Sequence, residues 1–227
     1  MKIALLGLAA ALAFTGAAAA APNALTPQEK AAGWALLFDG KDLAGWRGFK
    51  AAAPDAGWTV RDGVLSPDPK TSKDIISKAE FASFELSFAW KISTGGNSGV
   101  MFHVIERGDE TYESGPEYQI LDNAKPVPPA EKAASLFALY APTTDAAKPA
   151  GEWNAGRLIV DHGRVQHWLN GVKVVEYDLG SADFKARVAA SKFKAWPQFA
   201  SSPTGHIALQ NHGDEVFFRD IKIRQLK

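Results

Sequence analysis

The chain contains no cysteine. No disulfide can brace it, so the hydrophobic core alone must stabilise the fold. It has no charge imbalance either: Lys plus Arg and Asp plus Glu number 25 each. A nucleic-acid binder would be basic, so that class is disfavoured. Beyond the first residues no apolar run approaches a membrane span, which needs roughly 20 residues. There is no P-loop, no dinucleotide-binding glycine fingerprint and no G-x-S-x-G elbow. Long internal repeats are missing as well.

What is present begins with export. Lys2 gives a positive start, Ile3 to Phe14 is apolar, and Ala17 to Ala21 is a small-residue stretch before Pro22. This is the pattern of a secretory signal peptide. The expected division is a signal peptide over 1–21, a short helix and linker over 22–33, and one domain over 34–227. The expected location is the bacterial periplasm or the medium, with no membrane attachment after cleavage. Leu25 to Ala32 reads as a short helix, with Thr26 as N-cap, Pro27 in the first position and Glu29 in the third.

From Trp34 onward the chain reads as short strands and tight turns. Asp62-Gly63 and Asn170-Gly171 are strong hairpin signals, and His162-Gly163 and His212-Gly213-Asp214 separate further strand pairs. Phe84 to Ile92 alternates, with Phe84, Leu86, Phe88 and Trp90 on one side and Glu85, Ser87 and Lys91 on the other. Asp122 to Ala150 is a long Pro- and Ala-rich connection, with a short helix expected near Ala130 to Leu136. Loops of this length are usually functional or mobile. Phe184 to Phe193 reads as helical. Many short strands with little helix predict an all-β fold, a two-sheet antiparallel β-sandwich or jelly roll. Most of the seven Trp and thirteen Phe belong to its core.

The chemistry-bearing stretch is Gly95 to Asn123. A strand sends alternate side chains to opposite faces. Glu117 and Gln119 therefore point one way, and Tyr118 and Ile120 the other. His103 is expected to share a face with Met101 and Ile105. A strand with one apolar face and one face of Glu, Gln or His suits a polar ligand such as a sugar.

WALLFDGKDLAGW (Trp34 to Trp46), GGNSGV (Gly95 to Val100), GPEYQILDN (Gly115 to Asn123), GEWN (Gly151 to Asn154), HWLNG (His167 to Gly171) and HIALQNHGDEVFFRDIKIR (His206 to Arg224) follow one another in order. Together they resemble the 3-keto-disaccharide hydrolase domain family over Ala32 to Leu226. The resemblance implies a concanavalin-like sandwich with a concave face, and cleavage of glycosides whose sugar is oxidised at C3. Two positions depart from the family pattern. Asn211 stands where the final motif often has Asp, and His103 stands where Arg or Tyr is more usual.

A 3-keto group acidifies the C2 proton. Elimination after its removal needs a base, a group for the enolate oxygen and an acid for the leaving group. Direct hydrolysis would instead need two carboxylates flanking the bond. The catalytic candidates are Glu117, His103 and His212. The same three are candidates for a divalent metal site, which the sequence does not require and for which no tight ligand spacing exists. Substrate-binding candidates are Asn97, Ser98, Gln119, Asp122, Trp153, Asn154, His167 and Gln210.

Each of these has a bland alternative. Glu117 can be a surface ion pair, His103 a satisfied structural histidine, and His212 a turn residue bonded to backbone. Asp122 can form an Asx turn, Asn97 and Ser98 can shape a glycine-rich turn, and Trp153 can cover the core edge. One of His167 and Trp168 should face a ligand if their strand lies in the concave sheet. Lys148 defaults to solvent. The expected partner is an oxidised glycoside made by a separate sugar 3-dehydrogenase. The competing readings are a non-catalytic glycan-binding module on the same sandwich and a structural domain.

Overall fold

The computed structural model describes residues 21–227. The signal-peptide reading covers residues 1–21, of which 1–20 lie outside the described ones. Among the described residues no helix is long and apolar enough to cross a membrane.

In chain order the strands are β1 (Ala35–Leu36), β2 (Trp46–Gly48), β3 (Thr59–Arg61), β4 (Val64–Ser66), β5 (Ile75–Phe81), β6 (Phe84–Ile92) and β7 (Asn97–Val104). They continue with β8 (Glu117–Leu121), β9 (Asn154–Asp161), β10 (Arg164–Leu169), β11 (Val172–Asp178), β12 (Gly205–Leu209) and β13 (Val216–Gln225). One sheet runs β11-β10-β9-β6-β13-β4-β3, with β1 also on β13; the other runs β2-β5-β12-β7-β8. The pairings are antiparallel, so the fold is the expected two-sheet sandwich. The β3–β4, β9–β10 and β10–β11 hairpins turn on Asp62-Gly63, His162-Gly163 and Asn170-Gly171, each with both φ angles positive. Such turns match the twist of the strands they join, and Asn, Asp or His followed by Gly tolerates them best.

The alternation of β6 builds the core. Phe84, Leu86, Phe88 and Trp90 are almost fully buried between the sheets. Phe84 meets Phe102 of β7 edge-on at 6.3 Å, and Phe88 meets Tyr118 of β8 at 5.2 Å. Each such side chain contributes roughly 1.5–3 kcal/mol by burial. The helix α1 (Pro27–Ala31) carries the predicted capping box between Thr26 and Glu29. The expected helix over Ala130 to Leu136 is only a 3-10 turn at Pro129–Glu131; Leu136 instead bridges to Tyr118 and Tyr140.

The expected helix at 184–193 is split. Helix α2 (Ala182–Ala190) starts at Ser181, whose Oγ accepts from Phe184 N at 3.1 Å. Ser191 then ends it and caps a separate 3-10 turn, Lys192–Ala195, accepting from Phe193 N at 3.1 Å. Phe193 stacks on Phe199 at 4.0 Å, which anchors that turn to the body of the protein.

Candidate active site

The outer face of the five-stranded sheet carries the site. β7 and β8 pair with Gly99 opposite Gln119 and Met101 opposite Glu117. Glu117 and Gln119 lie on this outer face. Tyr118 lies inside, donating its hydroxyl to the Trp168 carbonyl at 3.0 Å. Gly99 makes room for the acid: a Cβ there would stand 2.1 Å from Glu117 Oε1.

Connections build walls around this floor. Tyr112 comes from the 3-10 turn Thr111–Glu113, Phe137 from the long loop, and Lys192 from the turn after α2. Gln210 and His212 follow β12, and Asn97 opens β7. Together with Glu117 and Gln119 they enclose a cavity of about 230 Å³. That is below the roughly 300–1,000 Å³ of pockets for drug-sized ligands; it suits one sugar ring. Asp74 ties two walls together. One of its oxygens accepts from the Thr111 hydroxyl, and the other accepts from Asn211 N at 3.0 Å. Burial raises the Asp74 carboxyl to about 6 against these two bonds.

Glu117 is buried and makes no ion pair among the described residues. Desolvation lifts its carboxyl to about 8; the Lys192 charge pulls it down and the Asp74 charge pushes it up. With the Gln119 amide oriented to satisfy its neighbours, its nitrogen donates to Glu117 Oε1 at 3.0 Å and to the Ser98 carbonyl at 3.2 Å. Ser98 itself faces away from the cavity. Its Oγ donates to the Gln210 carbonyl at 2.8 Å and so positions the end of β12. Gln210 Oε1 is buried with no partner, an open acceptor at the cavity wall.

Other candidates lie elsewhere. His103 does not share the Met101 face. Its φ of 52° interrupts the alternation, and the ring packs on Phe84 and Phe102 at the sandwich edge. Gly205 accommodates the kink, since a Cβ there would stand 2.5 Å from the His103 carbonyl carbon. His103 Nε2 donates to the Ala82 carbonyl at 2.7 Å, and burial lowers its pKa. It lines a different cavity, of about 530 Å³, beside His162 and Ser83.

His167 sits inside the sandwich, because β10 belongs to the eight-stranded sheet. Its Nδ1 donates to the Ala134 carbonyl at 3.0 Å, and Nε2 accepts from the Tyr177 hydroxyl at 3.2 Å. Burial holds it neutral, with its pKa lowered to about 4. Trp153 lies under Arg219 of β13 at 4.1 Å and Lys91 of β6 at 5.4 Å, against the eight-stranded sheet and outside the Glu117 cavity. Asn154 Oδ1 accepts from Lys148 N and from Asn170 Nδ2, both at 2.8 Å, and pins the end of the long loop. Asp122 forms the Asx-type turn, accepting from Gly95 N at 2.8 Å and Ala124 N at 3.1 Å.

Glu117 and His212 therefore share a cavity that His103 does not enter. The three-ligand metal set does not assemble. Among the described residues no group of three or more His, Cys, Asp or Glu side chains is placed to hold a metal ion. Sequence reasoning also missed Tyr112, Phe137 and Lys192. No local pattern marks them, since each is carried in by a connection.

A buried acid in a small polar cavity on a sandwich face fits the carbohydrate-cleaving enzymes of β-sandwich fold. Comparison with known proteins makes the assignment particular. Residues 33–224 match the model of the 3-keto-alpha-glucoside-1,2-lyase-like domain. The chain belongs to that family. It is 33% identical to a 3-keto-disaccharide hydrolase of Bacteroides thetaiotaomicron, over 86% of this chain and 79% of that protein. The crystal structure of a candidate glycosyl hydrolase from Parabacteroides distasonis superposes with a TM-score of 0.86 at 36% identity, covering 91% of this chain and all of the other. A non-specific endo-beta-1,3(4)-glucanase shares the fold alone, with a TM-score of 0.52 at 12% identity.

Proposed function

We propose that this protein is an exported enzyme that cleaves 3-keto-glycosides by elimination followed by hydration. The observation that carries this reading is Glu117: a buried carboxyl without an ion-pair partner, in a cavity sized for one ring. Burial has brought its pKa to about 8, near working pH, where a general base is most useful.

Glu117 removes the C2 proton, and the C–H electron pair becomes the C2–C3 double bond of an enolate. Collapse of the enolate restores the C3 ketone, forms a C1–C2 double bond and expels the oxygen on C1. His212, exposed at the cavity mouth, gives that oxygen its proton. Water then adds at C1 and a proton returns to C2, so the net change is hydrolysis. Gln119, Asn97 and Gln210 supply amides for the sugar hydroxyls. The chain has no dinucleotide fingerprint, so a separate dehydrogenase oxidises C3 beforehand. The membership of the family and its named relative support the substrate class.

The test compares a 3-keto-disaccharide with its unoxidised parent. Wild-type protein should release 3-keto-glucose from the first only, and Glu117→Gln should lose about 10²–10⁴-fold in kcat. In D₂O, product should carry deuterium at C2. Binding of the oxidised sugar without turnover would replace this reading with a glycan-binding module, and cleavage without label at C2 would replace elimination with direct displacement.

A further inference from the structure

The reaction proposed above leaves negative charge on the C3 oxygen, and no neutral amide of the cavity matches a full charge. Lys192 is the only Lys or Arg among the residues lining it. Its Nζ lies 4.5 Å from the Phe137 ring centre, 5.3 Å from Phe193 and 5.7 Å from Tyr112. All three are within the roughly 6 Å of a cation–π contact. Two of these rings, Tyr112 and Phe137, line the cavity themselves.

The ammonium is held by rings and not by acceptors. Among the described residues no carboxylate or carbonyl takes a hydrogen bond from it. Lys132 donates to the Asn123 carbonyl, Lys148 to the Trp153 carbonyl, Lys173 to Glu176 and Lys222 to Glu29, whereas Lys91 also lies over rings alone, those of Trp153 and Phe217, but outside the cavity lining. Lys192 is exposed at the cavity lining with its donors open to a ligand, at a position fixed by the Ser191 cap and the Phe193–Phe199 stack.

Resting on that reaction, we infer that Lys192 is a catalytic residue whose ammonium binds the C3 oxygen of the sugar, first as ketone and then as enolate. The oxygen gains its charge when Glu117 takes the C2 proton, and a preorganised cation beside it stabilises that step more than any neutral donor. The titratable groups that line the cavity with Glu117 are Lys192 from the 3-10 turn, His212 from the loop after β12 and Tyr112 from the Thr111–Glu113 turn, while Asp74, outside the lining, acts through its charge. Lys192 is the one whose charge favours the ionised acid, so it prepares the base as well as receiving the product of its action.

The experiment measures kcat/KM for a 3-keto-disaccharide against pH in wild type, Lys192→Met, Lys192→Gln and Lys192→Arg, with binding of 3-keto-glucose and of glucose. Lys192→Met should lose about 10²–10³-fold, and Lys192→Arg should recover at least tenfold of it. The ascending pH limb should move upward in Lys192→Met, and the preference for the keto sugar should fall about tenfold or more. A lysine that only covers the rings would move neither the limb nor the preference. If Lys192→Met fails to fold, Lys192→Gln against Lys192→Arg decides. A Met or Gln variant within about threefold of wild type, with limb and preference unchanged, overturns the role of Lys192 and leaves the reaction standing. A wild type that does not turn over the keto substrate overturns the reaction itself.

Discussion

Two buried glutamates show how the same residue type takes opposite parts in one fold. Glu85 lies on β6 and Glu117 on β8, both on the outer face of a strand whose alternate residues fill the core. Glu85 meets Arg157 at 2.5 Å and Arg224 at 2.6 Å, so its charge is answered on both oxygens. Glu117 has Gln119 beside it, Lys192 in its field, and no ion pair. The eight-stranded sheet leaves Glu85 among strands that supply arginines. The five-stranded sheet is roofed by connections, which shut out water and bring one cation, Lys192, near the acid without an ion pair to it. Burial with a partner makes a fastening; burial without one makes a group whose proton can be exchanged at working pH.

The comparison breaks most sharply under paired substitutions. Glu117→Gln should abolish turnover by the factor given above yet leave the fold intact. It should also change a pH slope. Because burial raises the Glu117 carboxyl from 4.5 to about 8, its stabilising contribution is complete below pH 4.5 and is lost as pH rises through about 8. Urea titrations of wild type and Glu117→Gln should therefore differ by an amount that shrinks against wild type across that window. Parallel curves would show that the carboxyl is not held neutral.

His167 should give the next largest effect. Its pKa falls from 6.5 to about 4, so its contribution is complete above pH 6.5 and is lost as pH falls through about 4. At 1.36 kcal/mol per unit that is on the order of 3 kcal/mol. His167→Gln should flatten the acid limb of stability, and an unchanged limb would place the ring in solvent. Glu85→Ala should cost about 1–3 kcal/mol, with kcat/KM within about threefold of wild type. A catalytic defect would erase the distinction between the two acids. Asp122→Ala should cost about 1 kcal/mol by removing its turn bonds and leave KM unchanged, as read by thermal melting and steady-state kinetics.

The sandwich was legible because alternation and turn chemistry are local. The Asp62-Gly63 and Asn170-Gly171 turns lie where their dipeptides place them. Regular β8 likewise put Glu117 and Gln119 on one face. Parity failed at His103, where a positive φ is accommodated by the missing Cβ of Gly205, a residue distant in the chain. It failed differently at His167. Trp168 and His167 do lie on opposite faces, but nothing in HWLNG says which sheet receives the strand. The long loop was expected to matter, and it delivers Phe137 to the cavity. Lys192 had no signal at all, since its place depends on where α2 ends and on rings from two other segments, Tyr112 and Phe137.

The cavity is half strand and half connection, and that division has a consequence for divergence. Glu117, Gln119 and Asn97 stand on paired strands whose register cannot slip without turning the core outward. Tyr112, Phe137, Lys192 and His212 stand on segments that can lengthen or be replaced without disturbing the sheets. The proposed base is thus inherited with the fold. The proposed acid His212 and cation Lys192 ride on the connections, so a change of loop alters the partners of that base together with the surface that meets the leaving group.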